Sequence, residues 1–461
     1  MADYSQPDYG ALLEFYQGHL ETSVLPFWLK RGIDQEYGGF FTCFDNRGNR
    51  LVSTDKYIWS QGRFIWLLAR LADLSRQGLV HQDADTILDT ARRGVEFVDA
   101  HAFLGNGSCA FLVDRLGNWK ESVPGMGFDT SFFADCFVVL GFSEYARVVR
   151  DVSVLERALQ LYDWIVQRVE AGAIRSEPYP IPPGHHAHSV PMIMLNVSQE
   201  LAAALEGFQH PRSGEVRGRA WTYLETIMDR FRQQDGTIAE MIPSDDSLET
   251  GVGTVPDTVL RRHVTPGHML ESMWFVMTEA ERAGDKERIR QAAQVIVRAF
   301  EVGWDREQGG LLRYVDRTGQ REPQGAMVGD PYESLVLETW DTKLWWPHSE
   351  ALYSTFLAYA LTGEQSHLKL YELAQDYVFR TFPNPDRTIG EWIQIRDRRG
   401  EPLDKVVALP VKDPYHIIRN LLLLIELLHR LTLTAGRPED TKTTRGDNPA
   451  SDAFRPTAPP A

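Results

Sequence analysis

Long stretches in which apolar residues recur every three or four positions run down the whole chain. KYIWSQGRFIWLLARLADL from Lys56, SFFADCFVVLGFSEYARVV from Ser131 and EALYSTFLAYAL from Glu350 each predict a helix with a buried face. Between such stretches, short runs of β-formers end in the turn signal Asp-x-x-Gly. It occurs at Asp45, Asp114, Asp316 and Asp397, in DNRG, DRLG, DRTG and DRRG. Two of these surroundings nearly superimpose, GIDQEYGGFFTCFDNRGN from Gly32 and GWDREQGGLLRYVDRTGQ from Gly303. Asp34, Gly38, Gly39, Asp45 and Gly48 return at one constant offset as Asp305, Gly309, Gly310, Asp316 and Gly319. The interval from Asp114 to Asp316 is about three units of roughly 67 residues, which predicts degenerate copies near 180 and 245. Turn-rich EPYPIPPGHH and MIPSDDSLETG stand there. The predicted unit is a short hairpin plus about two helices.

An open array of six such units would need polar capping repeats, and none is visible, so the ring must close on itself. The predicted fold is all-α, an (α/α)6 barrel with short β-hairpins at one end. The barrel is expected to fill residues 1–434, its helices running from about 8 to 433. Residues 435–461 are rich in Pro, Thr, Asp and Gly and read as a disordered tail.

Composition narrows the partners. Hydrophobic residues make up 43% and aromatics 11%, and 12 Trp leave some rings free to face a ligand. A net charge of −16 without a basic stripe argues against nucleic acid. Cys43, Cys109 and Cys136 are too few and too scattered for a disulfide framework or a thiolate zinc site. Neither a signal peptide nor a membrane span is read, so a cytoplasmic enzyme is expected.

Aligning DKYIWSQGR with DTKLWWPHSE brings Lys56, Trp59 and Arg63 onto Lys343, Trp346 and Glu350. Opposite charges at matched positions suit a site for a polyhydroxylated ligand, or equally an ordinary salt bridge. In RRHVTPGHMLESMWFVM the Pro266-Gly267 break opens a helix on which His268, Glu271 and Trp274 share roughly one face. In LPVKDPYHIIRNLLLLIELL the Asp413-Pro414 break opens another, with His416 in its first turn. Arg63, His268, Glu350 and His416 all follow a loop that opens an apolar helix, so a toroid gathers them at one mouth. Two imidazoles suit reversible proton transfer at neutral pH, and a guanidinium can stabilise the oxyanion formed. The histidines of HHAH (His185, His186 and His188) have no evident carboxylate partner, and neither a metal nor a nucleotide cofactor is expected.

The chain resembles the N-acylglucosamine 2-epimerase superfamily, which includes cellobiose 2-epimerases, mannose 2-epimerases and mannose isomerases. YGGFF with DKYIWSQGR, SVPMIMLNVSQEL, TPGHMLESMWF, TKLWWPHSEAL and KDPYHIIR carry the resemblance across nearly the whole barrel. It implies cofactor-independent deprotonation and reprotonation at C2 of an unphosphorylated aldose through an enediolate. On that likeness His268 and His416 are acid and base, and Arg63 holds the carbonyl oxygen. Glu271 and Glu350 orient the histidines or bind hydroxyls, and Trp274 and Trp346 pack on the sugar. Lys343 and Trp59 complete the expected substrate-binding set. Pro191, Met192 and Met194 stand where the cellobiose and mannose branches carry a His, which favours N-acylglucosamine or N-acylmannosamine as substrate. Asp413 and Pro414 depart from that branch too. A mannose 2-epimerase or mannose–fructose isomerase is the alternative substrate reading. A glycoside hydrolase built on Glu271 and Glu350, or a sugar-binding protein without catalysis, are the alternative classes. The partner expected is a small sugar, and the chain is compatible with a homodimer.

Overall fold

The structure is a computed structural model in which residues 7–244, 257–406 and 409–435 are described. The tail expected at 435–461 lies outside the described residues beyond Ala435, as does the stretch 245–256 of the copy near 245. Helix α1 (Tyr9–His19) passes through a wider turn at Leu20–Val24 into α2 (Leu25–Arg31), and the first inner helix is α3 (Ile58–Arg76). Outer and inner helices then alternate: α4 (Ala84–His101) with α5 (Phe132–Val149), and α6 (Val152–Glu170) with α7 (Ser189–Gly207). α8 (Ser213–Glu225) leads through the short α9 (Val259–Arg262) to α10 (Pro266–Ala283). α11 (Lys286–Gly303) leads through the short α12 (Pro331–Thr339) to α13 (Trp345–Thr362), and α14 (Gln365–Thr381) leads to α15 (Tyr415–Ala435).

Helices α3, α5, α7, α10, α13 and α15 pack each against the next, and α15 returns to α3, closing an (α/α)6 barrel. Burial follows the layer. Inner α5 is buried on nearly every side from Phe132 to Ala146, whereas outer α11 buries one stripe through Ile289, Ala292, Ala293, Ile296 and Phe300. Glycine brings α3 and α5 together: a Cβ on Gly62 would lie 2.2 Å from the Phe137 carbonyl oxygen, and one on Gly141 would lie 2.3 Å from that of Gly62. No helix among the described residues is long and apolar enough to cross a membrane. Cys43, Cys109 and Cys136 are buried free thiols.

The four Asp-x-x-Gly turns share one geometry, in which Gly48, Gly117, Gly319 and Gly400 donate their N–H to the carbonyl of the turn's Asp at positive φ. Pairing departs from the expected hairpins. Leu112–Val113 pairs locally with Trp119–Lys120, but the other strand pairs join successive units. The strand leading into an inner helix meets the strand that follows the next outer helix: Lys56–Tyr57 with Leu112–Val113, His263–Val264 with Val315–Asp316, and Lys343–Leu344 with Ile395–Arg396. His185–Ala187 and Met241–Pro243, at the two degenerate copies, pair in the same way. These two- and three-residue ladders stitch the helix pairs into a girdle at one end of the ring.

The repeat is also locked by charge. Lys56 Nζ is 3.0 Å from Asp34 Oδ2, which Arg115 also reaches, and Lys343 Nζ is 3.4 Å from Asp305 Oδ2, which Arg398 also reaches. Gln61 and His348, matched in the same alignment, each accept the backbone N–H that follows the Gly-Gly pair, from Phe40 at 2.7 Å and from Leu311 at 2.8 Å. This corrects the expectation for Lys343. It is fully buried, its ammonium is engaged by Asp305 and the Arg398 carbonyl, and it clamps a loop rather than meeting a sugar.

Candidate active site

A cavity opens at the girdled end of the ring, walled by the first turns of the inner helices and by strand residues Ala187, Met241, Leu344 and Ile395. Trp59, Arg63, His268, Glu271, Trp346 and His416 all face it. Residues from four distant segments thus meet because each stands just after a loop that opens an inner helix.

His268 is the third residue of α10, behind Pro266 at the helix start. A Cβ on the intervening Gly267 would lie 2.5 Å from the Trp346 ring, so glycine makes room for that indole. Trp346 packs near both imidazoles, its ring centre 5.1 Å from His268 and 5.7 Å from His416.

The two histidines are shifted in opposite directions. His268 Nδ1 lies 3.0 and 3.2 Å from the two carboxylate oxygens of buried Glu240. Burial pulls this imidazole down, but the Glu240 charge and hydrogen bond outweigh it and raise the pKa above its ordinary 6.5. His416 Nδ1 lies 2.7 Å from Glu350 Oε1, and since a carboxylate only accepts, Nδ1 carries the hydrogen and Nε2 the lone pair. Burial lowers the His416 pKa to about 3, with Arg419 and Arg63 adding to the effect against the pull of Glu271.

Glu350 does not reach the cavity. It is fully buried and accepts from Trp274 Nε1 at 2.7 Å, Asn420 Nδ2 at 2.9 Å and Arg419, as well as His416. Trp274 accordingly lies behind the site, holding Glu350, and not against a sugar. Glu271 does line the cavity, with Oε1 2.7 Å from Arg419 Nη2.

Arg63 is paired with Asp413, not with Glu350, and its guanidinium lies 4.0 Å from the Phe137 ring centre and 4.8 Å from that of Trp59. Asp413 also caps α15, accepting the Tyr415 N–H at 2.8 Å, and exchanges hydrogen bonds with Gln394. The departure of KDPYHIIR from the family pattern is therefore what pairs Arg63. Glu240, Asp413 and Arg419 join the site without having been expected from the sequence. Arg419 has a legible signal, three residues after His416 in the same motif, whereas nothing near Glu240 marks it locally.

The model of the N-acylglucosamine 2-epimerase (GlcNAc 2-epimerase) family matches residues 39–420. The N-acylglucosamine 2-epimerase of Bos taurus is 30% identical over 440 residues, 94% of this chain and 95% of that protein. The chain belongs to the N-acylglucosamine 2-epimerase family. A cellobiose 2-epimerase from Spirochaeta thermophila DSM 6192 superposes with a TM-score of 0.70 at 17% identity, over 93% of this chain and 100% of its own. A D-mannose isomerase superposes at 0.68 and 19%, over 92% and 100%. Both show the same barrel. As a member of this family the chain is an isomerase-class enzyme of carbohydrates.

His185 and His186 lie on the strand that pairs with Met241–Pro243. His188 is fully buried outside the cavity wall, its ring nitrogens without a hydrogen bond among the described residues and Nδ1 3.9 Å from Glu240 Oε1. Glu240 is the carboxylate partner that the HHAH segment does not reveal in sequence. Within this family member His188, Glu240 and His268 present ligand-type atoms within 4.8 Å of one another, as do Glu271, Glu350 and His416. The second group already has a cation, since Arg419 Nη2 contacts both of its carboxylates. The first could hold a divalent ion only by displacing the Nδ1 proton of His268 from Glu240. A hydrolase would need both carboxylates at the glycosidic bond. Glu350, sealed beneath His416, cannot serve there.

Proposed function

We propose that this enzyme epimerises an aldose at C2 by moving a proton between His416 and His268, with an N-acylhexosamine as the first candidate substrate. The observation that carries the reading is the pair of imidazoles on one cavity, each fixed through Nδ1 by its own carboxylate and tuned in opposite directions. Neutral His416 takes the C2 proton through Nε2. Arg63 stabilises the negative charge that develops on the carbonyl oxygen as the enolate forms, an enediolate where C2 bears a hydroxyl. Protonated His268 returns a proton to the other face of C2, inverting it, and Trp346, near both rings, supports the sugar. The exchanged state, with the proton on His416, is the starting state for the opposite epimer, so one apparatus serves both directions. The near full-length likeness to the Bos taurus N-acylglucosamine 2-epimerase favours an N-acyl substituent at C2. A mannose isomerase would use the same groups but deliver the proton to C1.

Proton NMR in heavy water tests this directly. N-acetylmannosamine, N-acetylglucosamine, mannose, glucose and cellobiose are each incubated with the enzyme and a chelator. Deuterium at C2 of an epimer is the expected result. Activity abolished by the chelator and restored by a divalent ion, with no solvent deuterium at C1 or C2, would overturn the proton-transfer reading in favour of a hydride shift at the His188–Glu240–His268 group.

A further inference from the structure

Three arginines line the cavity, and two are neutralised by carboxylates: Arg63 by Asp413, and Arg419 by Glu271 and Glu350. Arg313 is the third. It is 3% exposed, and its guanidinium donates to neutral hydroxyls, Nη1 to Thr339 Oγ1 and Nη2 to Tyr179 Oη, each at 3.0 Å. Among the described residues no carboxylate pairs with it, and the guanidinium lies 4.8 Å from the centre of the Tyr314 ring. Burying a charge without a paired carboxylate is costly, so among the described residues this guanidinium is the cavity cation left to pair with an anion, although Glu240, Glu271 and Asp413 line the same cavity.

The surroundings suit an anion. Tyr179, Tyr314 and Tyr332 also line the cavity, and burial pushes all three phenols up, so Tyr314 and Tyr332 stay protonated beside the guanidinium while Tyr179 Oη holds it. Tyr314 and Tyr332 belong with Ala187, Met241 and Leu260 to a small apolar cluster separate from the main core. These residues come from the loop layer and α12 at the mouth, and Arg313 lies near enough to His268 to act on its charge.

We propose that Arg313 and these tyrosines form a subsite for an acidic substituent of the sugar, so that the preferred substrate is an aldose bearing a carboxylate, sulfonate or phosphate away from C2. The proposal rests on the C2 proton-transfer reading. A neutral acyl carbonyl would accept the same hydrogen bonds but leave the guanidinium charge unpaired, which is why an anion is the better occupant.

The test compares N-acetylmannosamine and mannose with N-acetylmannosamine 6-phosphate, mannose 6-phosphate and mannuronate. Deuterium uptake at C2 and thermal stabilisation by each sugar are measured separately. The wild type should favour the anionic member of a pair by roughly 10- to 100-fold in kcat/KM, the range of a charge-assisted hydrogen bond. Phosphate and carboxylate arms identify which acid is taken. Arg313→Gln should collapse that ratio, and Arg313→Lys should keep part of it. A wild type that favours neutral sugars, a ratio unmoved by Arg313→Gln, or a loss that follows the N-acetyl group instead of the charge would overturn the proposal. If no sugar takes up deuterium, the C2 reading fails, and stabilisation alone decides: selective for anionic sugars and lost in Arg313→Gln supports the subsite, unselective or absent overturns it. If Arg313→Gln does not fold, the wild-type ratio and its partial retention in Arg313→Lys decide between the same two outcomes.

Discussion

In the proposed mechanism two histidines share one proton, and the pH dependence expected of it follows from how each is held. Turnover needs His416 neutral and His268 charged, or the reverse, and both arrangements contain the same number of protons. Both directions of the reaction should therefore show the same alkaline limb. It reports loss of the proton from His268, whose pKa Glu240 raises, so the limb should lie at higher pH than an ordinary imidazole would give. Glu240→Gln removes the charge that raises it. The limb should move to lower pH in that variant, and a profile of kcat/KM against pH that does not move would refute the role given to Glu240. Replacing His268 or His416 by Asn should cost about 10² to 10⁴ in turnover while leaving the fold intact, since neither ring carries core packing beyond its own pocket. Wild-type turnover in both variants would exclude them as acid and base.

Elements decide where these side chains stand, and here the helix pairs differ in how plainly the chain declares them. Inner helices such as α5 are buried on nearly every side and mostly apolar, and the Asp-x-x-Gly turns recur as near copies, so the ring is legible from periodicity and repeat alone. Strand partners are not, because two-residue ladders carry no pattern and their mates lie a whole helix pair away. The same limit hides Glu240, which meets His268 only because Met241–Pro243 pairs back onto His185–Ala187. Lys343 departs from its expected role because a buried structural lysine and a substrate-binding one look alike in sequence. Lys343→Met should lower Tm, since Asp305 loses one of its two cations, and should leave KM near wild type. A raised KM at unchanged Tm would return Lys343 to the substrate. At the α3–α5 crossing Gly62→Ala forces a methyl group into the Phe137 carbonyl, and overpacking of this kind costs about 1–3 kcal/mol. A denaturant melt should show that loss, and unchanged stability would mean the two helices can part without penalty.

On the scale of the whole molecule, the ring closes where the chain's beginning meets its last helix. α1 packs on the outside of α15, and the Tyr16 and Tyr371 hydroxyls lie 2.7 Å apart in the core. Trp392 Nε1 donates to His19 Nε2 at 2.9 Å, and the Glu391 N–H donates to the Ser23 carbonyl at 2.6 Å. α15 carries His416 and Arg419 and is held by α13 and α3 on either side, so the closing seam also supports the proposed base. Arg63 on α3, His268 on α10 and Glu350 on α13 complete the site, which leaves no fraction of the ring able to work alone. Activity and structure should consequently be lost together. Tyr16→Ala removes a fully buried ring at the seam, where a large-to-small change costs about 3–5 kcal/mol. Its melting curve should shift to lower temperature, with the loss of C2 exchange still superimposed on the loss of far-UV ellipticity. Exchange that disappears well before ellipticity falls, in the wild type or the variant, would show that the site belongs to a part of the ring that loosens on its own.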